Sequence, residues 1–437
     1  MKARNTDTAT PSAVSVRLAI IVAALGYFVD VYDIALFSII RVPSLRSLGL
    51  TDERLLVDGV FLLNIQMAGM LLGGILWGVL GDKLGRVEVL FGSILMYSVA
   101  NLANAFVSTV DTYALCRFFA GLGLAGEIGA GITLVAEMMP KERRGLATTI
   151  VASVGVFGSC AAALVGDLLD WRTAYIIGAV GGFALLALRI GVYESGMFNA
   201  VKHNAEISKG DLRLLFRDGR LPRYAACVCA GMPMFLFLGL LMTFSPELGR
   251  ALNITGEVRA PSAVLYYSIG ITLGDIASGL LSQYLKSRKR VLALFMTGGA
   301  IVASLIVFSD GQSPRYYYTL AGLGGVCMGY WAVLVTTSAE QFGTNLRATV
   351  TSTVPNFVRG ATIGITLLFE ALKPHLGTVS SAQIVAVVCM SLGGLGVYSL
   401  RETFHVDLNF VERKGGEREK VSEDTNEEQQ LPLAANS

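Results

Sequence analysis

Charge is scarce in this chain. Only 16% of its 437 residues are Asp, Glu, Lys or Arg, where a soluble globular domain carries about 25%. Together with 53% hydrophobic residues and a mean hydropathy of +0.58, the deficit excludes an ordinary soluble domain and indicates a polytopic membrane protein. Histidine is rarer still. His203, His375 and His405 are the whole set, and all fall in loops or the tail, so a proton relay through the membrane would have to use carboxylates. The six cysteines, Cys116, Cys160, Cys227, Cys229, Cys327 and Cys389, all lie in apolar stretches, which favours packing over disulfides or a metal site. A net charge of +2 gives no reason to expect a nucleic-acid partner. No nucleotide-binding motif and no nucleophile–base arrangement occurs, which argues against an ATP-driven pump, an enzyme or a bound cofactor.

What the chain does have is long apolar sequence. A span needs about 20 mainly apolar residues, and twelve such stretches are separated by short polar breaks, near 17–41, 56–80, 87–108, 112–138, 146–168, 172–194, 223–245, 260–284, 291–309, 316–339, 348–371 and 381–400. Backbone groups without water must bond internally, so these are helices. The polar start Met1 to Pro11 precedes a first span too long for a signal peptide and shows no convincing small-residue cleavage site, so the first helix is expected to be retained. Sixteen Lys and Arg residues fall on one side of this topology, including Lys141, Arg143, Arg144 and Lys286 to Arg290, against eight on the other, including Arg41, Arg46 and Arg259. The bias places both termini in the cytoplasm.

The sequence also repeats itself. Glu137 is followed seven residues on by Arg144, and Glu340 seven on by Arg347, 203 positions later. Gly73-Gly-Ile-Leu-Trp-Gly aligns without gaps to Gly274-Asp-Ile-Ala-Ser-Gly279. Between the copies hydropathy drops, and Asp211-Leu-Arg-Leu-Leu-Phe-Arg217 could form a short interfacial helix. Segment 402–437 turns acidic and polar, and Glu412 to Gln430 is too poor in apolar residues to fold alone.

At this point the residues resemble a family. Gly81-Asp-Lys-Leu-Gly-Arg86 is similar to the signature loop between helices two and three of the major facilitator superfamily, and Arg117-Phe-Phe-Ala-Gly through Gly145 resembles the helix-four signature of its sugar, organic-ion and aromatic-acid branches. The resemblance covers nearly all of residues 17–401. It implies an all-α membrane protein with twelve transmembrane helices in two six-helix pseudo-symmetric bundles. The expected organisation is a cytoplasmic segment 1–16, bundles 17–194 and 223–401, a cytoplasmic linker 195–222 and a disordered tail 402–437. A binding site would lie at the midplane between the halves.

Several charges stand where lipid forbids them. Asp30 and Asp33 lie three apart on helix one and share a face. The resemblance implies an Asp33–Arg117 pair linking helices one and four, with protonation of Asp33 freeing the arginine. Glu127 is either a second proton site or a cap for that arginine. Arg359, twelve residues after Arg347, matches the spacing at which organic-anion transporters carry an arginine; the alternative is an arginine satisfied by helix-end carbonyls or by Asp275. Tyr330 and Trp331 align with Glu127 and Ile128 at the offset of 203, and with Tyr32 and Asp275 they join Arg359 as substrate-binding candidates. Asp82, Arg86, Glu137, Arg144, Glu340 and Arg347 are expected to form the cytoplasmic gate.

The expectation is therefore a monomeric, proton-coupled symporter of a small organic anion in the cell inner membrane. Its partners would be the substrate, protons and the lipid bilayer. A proton-antiport exporter and a non-transporting sensor of the same fold are the alternatives.

Overall fold

The structure is a computed structural model in which residues 13–84, 86–127, 141–194, 219–404, 410–412 and 418–420 are described. The first half contains α1 (Ala13–Ser47), α2 (Asp52–Leu84), α3 (Arg86–Asn104), α4 (Val110–Leu124), α5 (Lys141–Leu168) and α6 (Trp171–Glu194). The second contains α7 (Arg220–Leu236), which runs into a π-helical turn (Phe237–Met242), then α8 (Ser245–Ala251), α9 (Ala260–Tyr284), α10 (Arg288–Val307), α11 (Pro314–Met328), α12 (Trp331–Glu340) and α13 (Thr344–Ser399).

Helix length decides the number of passes. Eight helical stretches are long and apolar enough to cross a bilayer. The last, Thr349–Ser399, has 51 residues, about 75 Å at 1.5 Å per residue, more than twice a hydrocarbon core of ~30 Å. It breaks at Gly377, whose φ of 75° and ψ of 172° only glycine adopts freely, and so supplies two passes. The shorter apolar helices Val89–Asn104 and Val154–Leu168, with α4, bring the total to twelve. Several helices run past the expected spans; α1 reaches Ser47 rather than 41 because it continues through Pro43. In the tail, Phe410–Glu412 and Arg418–Lys420 pair antiparallel inside the segment expected to lack structure. Residues 1–12, the linker residues 195–218 with the expected interfacial helix, and tail residues 405–409, 413–417 and 421–437 lie outside the described residues.

The two halves repeat one packing scheme. Within the first, α1 packs mainly on α5 and α2 on α4; within the second, α7 packs on α13 and α9 on α11. Between them, α2 meets α13 and α5 meets α9. Lipid gives no hydrophobic drive to helix association, so close approach through small residues has to supply it. A Cβ at Gly121 would collide with the Gln66 carbonyl, and one at Gly325 with that of Tyr267. These contacts superpose the repeats with offsets of 201 on α2/α9 and 204 on α4/α11. The sequence offset of 203 is therefore one short along α4/α11, and the second half breaks its helix just beyond, at Gly329–Tyr330, where Gly329 has φ −77° and ψ 58° and Tyr330 φ −126° and ψ 21°.

Gly121→Ala and Gly325→Ala should each lower the Tm of the detergent-purified protein by several degrees, since overpacking a tight contact costs about 1–3 kcal/mol. Gly279→Ala, with nothing within 4 Å of its added Cβ, should melt with the wild type. A Gly121→Ala protein melting like the Gly279→Ala control would show that close approach does not hold α2 to α4.

Candidate functional site

A cavity of about 90 Å³ lies between the halves, walled by Tyr27, Val31 and Ile34 of α1, Val156 and Ser159 of α5, Phe235 of α7, Tyr267 and Asp275 of α9, Trp331 of α12 and Arg359 of α13. Its size is of the order of the roughly 150 Å³ apolar cavity that holds a benzene ring. That suits one small ring and not a drug-sized molecule.

Arg359 is the cation of this wall. Its Nη2 donates to Asp30 Oδ2 at 3.2 Å, across the boundary between halves, and the two side chains are 4% and 0% exposed. Asp30 Oδ1 and Arg359 Nε and Nη1 have no hydrogen-bond partner among the described residues. The pair is thus held by one bond and leaves two guanidinium donors unused. Sequence reasoning offered Asp275 or helix-end carbonyls as the alternative partners; the structure supplies Asp30.

The expected Asp33–Arg117 bond is absent among the described residues. Arg117 instead donates to the Gln66 side chain and, at 3.4 Å, to the Tyr175 hydroxyl, with its guanidinium 4.8 Å from the Phe37 ring centroid. Neutral acceptors and a ring face therefore answer its charge inside the first half. Asp33 is fully buried and lies against Gly178 of α6, where an added Cβ would sit 2.6 Å from Oδ1. Both of its oxygens are without a partner among the described residues. Glu127 caps an arginine, but a different one: Arg189 of α6 donates to it through both terminal nitrogens. Arg189 was legible as a cation inside the span Trp171–Ile190.

Two aromatic candidates leave the site. The Tyr330 hydroxyl donates to the Ala230 carbonyl at 2.9 Å and the Tyr32 hydroxyl to that of Ala174 at 2.9 Å, so both are buried packing residues within their halves. Trp331 and Asp275 do reach the wall.

The polar contacts between halves cluster at the end that the charge bias assigns to the outside. Arg41, at the far end of α1, forks onto Glu247 of α8 at 2.7 and 2.8 Å, donates to the carbonyls of Leu55 at 2.8 Å and Thr243 at 3.2 Å, and lies 4.5 Å over the Phe244 ring. Arg259, just before α9, pairs with Asp167 of α5, and Arg250 of α8 lies 3.9 Å from Asp52 of α2. The Thr243 hydroxyl donates to Ser38 at 2.7 Å and that of Thr366 to Asn64 at 2.6 Å. Sequence reasoning counted Arg41 and Arg259 only as loop charges, because their partners lie more than 90 residues away in the other half.

At the opposite end, Glu340 accepts from the Thr403 hydroxyl at 2.6 Å and lies 3.6 Å from Arg288. Arg347 donates to the carbonyls of Ala339 at 3.4 Å and Phe342 at 3.5 Å. Burial would raise the Glu402 carboxyl, but hydrogen bonds from Ser287 and from the backbone of Arg288, Phe404 and Thr403 hold it below the usual carboxylate range. Glu402 thereby ties the root of the tail to the start of α10. Glu137 and the side chains of Asp82, Arg86 and Arg144 lie outside the described residues.

Twelve passes in two repeated halves, meeting at a buried cavity lined from both, are the build of a secondary transporter. The chain belongs to the Major Facilitator Superfamily, whose model matches residues 23–378, and is accordingly a multi-pass membrane transporter and not an enzyme. The cis,cis-muconate transport protein of Acinetobacter baylyi (strain ATCC 33305 / BD413 / ADP1) is 28% identical over 345 residues, 76% of this chain and 82% of that one. The Niacin transporter NiaP of the same strain is 24% identical over 360 residues, 75% of this chain and 80% of its own. The crystal structure of a D-xylose-proton symporter superposes with a TM-score of 0.66 at 16% identity, covering 89% of this chain and 98% of that one, which shows the shared fold.

Removing one partner of a buried ion pair costs about 3–5 kcal/mol, so Arg41→Ala should open the outer end. With Ile34→Cys as reporter on a background lacking the six native cysteines, an impermeant thiol reagent applied from outside should label the wild type slowly and Arg41→Ala at least tenfold faster. Equal labelling would mean that the Arg41–Glu247 fork does not close this end.

Proposed function

We propose that this chain is a proton-coupled symporter of a small organic anion, working by alternating access as a monomer in the cell inner membrane with both termini cytoplasmic. The observation that carries the reading is the Asp30–Arg359 pair on the cavity wall. An arginine answered by one carboxylate through one bond, with two donors unused, can exchange that carboxylate for a substrate's. Arginine suits the exchange because its fork accepts a carboxylate in bidentate fashion.

Coupling follows from the competition. While Asp30 is ionised it occupies Arg359 and bridges α1 to α13. When Asp30 takes a proton its hold weakens, and Arg359 is released to a substrate anion; loss of that proton on the other side restores the pair and expels the anion. Proton and anion then travel in the same direction. Asp33, buried without a partner beside this pair, is the second carboxylate available to the relay, and Arg117 and Glu127 set the charge around it. The names of the muconate and niacin relatives support an acid as cargo.

In proteoliposomes, an inward proton gradient should drive accumulation of labelled muconate, nicotinate or benzoate, whichever the wild type takes up. Asp30→Asn should lose gradient-driven accumulation at least tenfold while keeping substrate exchange, and Arg359→Gln should lose both. Accumulation that is the same without a gradient, or unaffected by Asp30→Asn, would overturn the coupling scheme.

A further inference from the structure

The cavity has a second polar pole that the exchange at Arg359 does not use. Asp275 of α9 is 6% exposed, and its Oδ2 has no hydrogen-bond partner among the described residues. Its Oδ1 accepts a long bond, 3.4 Å, from the backbone N–H of Ala332, and the backbone N–H of Trp331 also faces the carboxylate, both in the first turn of α12. The indole of Trp331 beside it is buried against Tyr27. Nothing in the repeat requires an acid here, since the aligned position in the first half is Gly74. A buried acceptor left without a donor costs free energy, and a helix cap explains one of its two oxygens.

The position also decides which end of a ligand can approach. The break at Gly329–Tyr330 makes α12 begin at the cavity wall, and a helix start attracts negative charge. In this protein its own carboxylate already occupies that start. A substrate carboxylate is repelled from this pole and drawn to Arg359. What the free Oδ2 can take is a donor, and the carboxyl group keeps lone pairs that accept a hydrogen bond in either protonation state.

We infer that Asp275 is a specificity-determining residue: it selects acids that carry a hydrogen-bond donor at the end of the molecule away from the carboxylate held by Arg359. The inference rests on the proposal that Arg359 binds the substrate anion. The apolar wall between the poles, with the rings of Tyr27, Phe235, Tyr267 and Trp331, and the cavity's size make the class a single-ring acid bearing a hydroxyl or amino group.

The test measures the affinities of benzoate, 3-hydroxybenzoate, 4-hydroxybenzoate and 4-aminobenzoate for the purified full-length protein by calorimetry. In the wild type the best donor-bearing acid should bind about 10- to 100-fold tighter than benzoate, the range a hydrogen bond to a charged group supplies. Asp275→Ala should bring that preference, read as the ratio of the best donor-bearing acid's affinity to benzoate's, within about threefold; Asp275→Asn, which keeps an acceptor and the shape, should retain part of it. Size-exclusion profiles and melting curves check that both variants are folded. Equal wild-type binding of benzoate and the donor-bearing acids, or an equal loss for all four in Asp275→Ala, would overturn the role of Asp275 and leave the anion reading standing. Failure of all four acids to bind, with Arg359→Gln indistinguishable from wild type, would overturn the anion reading and this inference with it.

Discussion

A guanidinium in hydrocarbon has to be answered, and here one is answered across the boundary between two halves that must part. Arg359 reaches Asp30 from α13 to α1 in the ion pair that joins the halves at cavity depth, one turn from the amide bond of Asn356 to the Ala125 carbonyl. Desolvating two charges is repaid only if their geometry is good and their remaining donors and acceptors are met. This pair fails the second condition, with three of its atoms unpartnered. It is therefore a contact the protein can trade, unlike the fork of Arg41 on Glu247, which uses both carboxylate oxygens and two carbonyls besides.

That contrast separates binding from closure. The outer contacts are numerous, bidentate where they are buried, and flanked by hydroxyl bonds such as Thr243 to Ser38. They hold an end shut whatever the cavity contains. A single bond at cavity depth, by contrast, can be remade by one proton or one carboxylate. For the occupancy of the cavity to bias the outer end, the free energy gained at Arg359 must differ between states in which the outer fork is made and broken. Rigid halves make this possible, because glycine contacts such as Gly121 on Gln66 and Gly325 on Tyr267 leave little room for each half to deform internally.

Composition and periodicity carried the fold a long way. Scarce charge, twelve apolar stretches and the Glu137/Glu340 echo suffice for a duplicated helical membrane protein, because the bilayer allows few architectures. The residues that matter at the cavity were also visible one by one, since a charge inside a span advertises itself: Asp30, Asp275 and Arg359 all reach the wall or its pair. Pairing was not legible. The family resemblance implies a pair of Asp33 with Arg117, yet a neutral Gln66 and two rings meet the arginine, and nothing in the local sequence of α2 signals that Gln66 points inward. Arg41 with Glu247 was hidden for the same reason, its partner being 206 residues away. The offset of 203 is one short along α4/α11 because an ungapped alignment taken from the Glu137/Glu340 echo does not follow a one-residue difference between the repeats.

Sorting the buried charges by where their partners lie gives the site its logic. Arg117 with Gln66 and Tyr175, and Glu127 with Arg189, find their partners inside the first half. Such pairs travel with their half as it rocks, and their desolvation cost is the same at both ends of the cycle. They can shape the field around α1 without being broken. Asp30 belongs to the first half but is answered from the second, so each opening changes what surrounds it. Asp33 sits one turn along the same helix without an ion pair among the described residues, near the Asn101 side chain and the charge of Arg117, and held near Asp30 by three residues of α1. A buried carboxylate so close to an exchangeable one makes the two sensitive to each other's charge. The conflict that lipid imposes on a single buried acid is here spread over two. Of the two, Asp30 is the one that meets Arg359, and under the proposed symport that asymmetry gives a proton a reason to move.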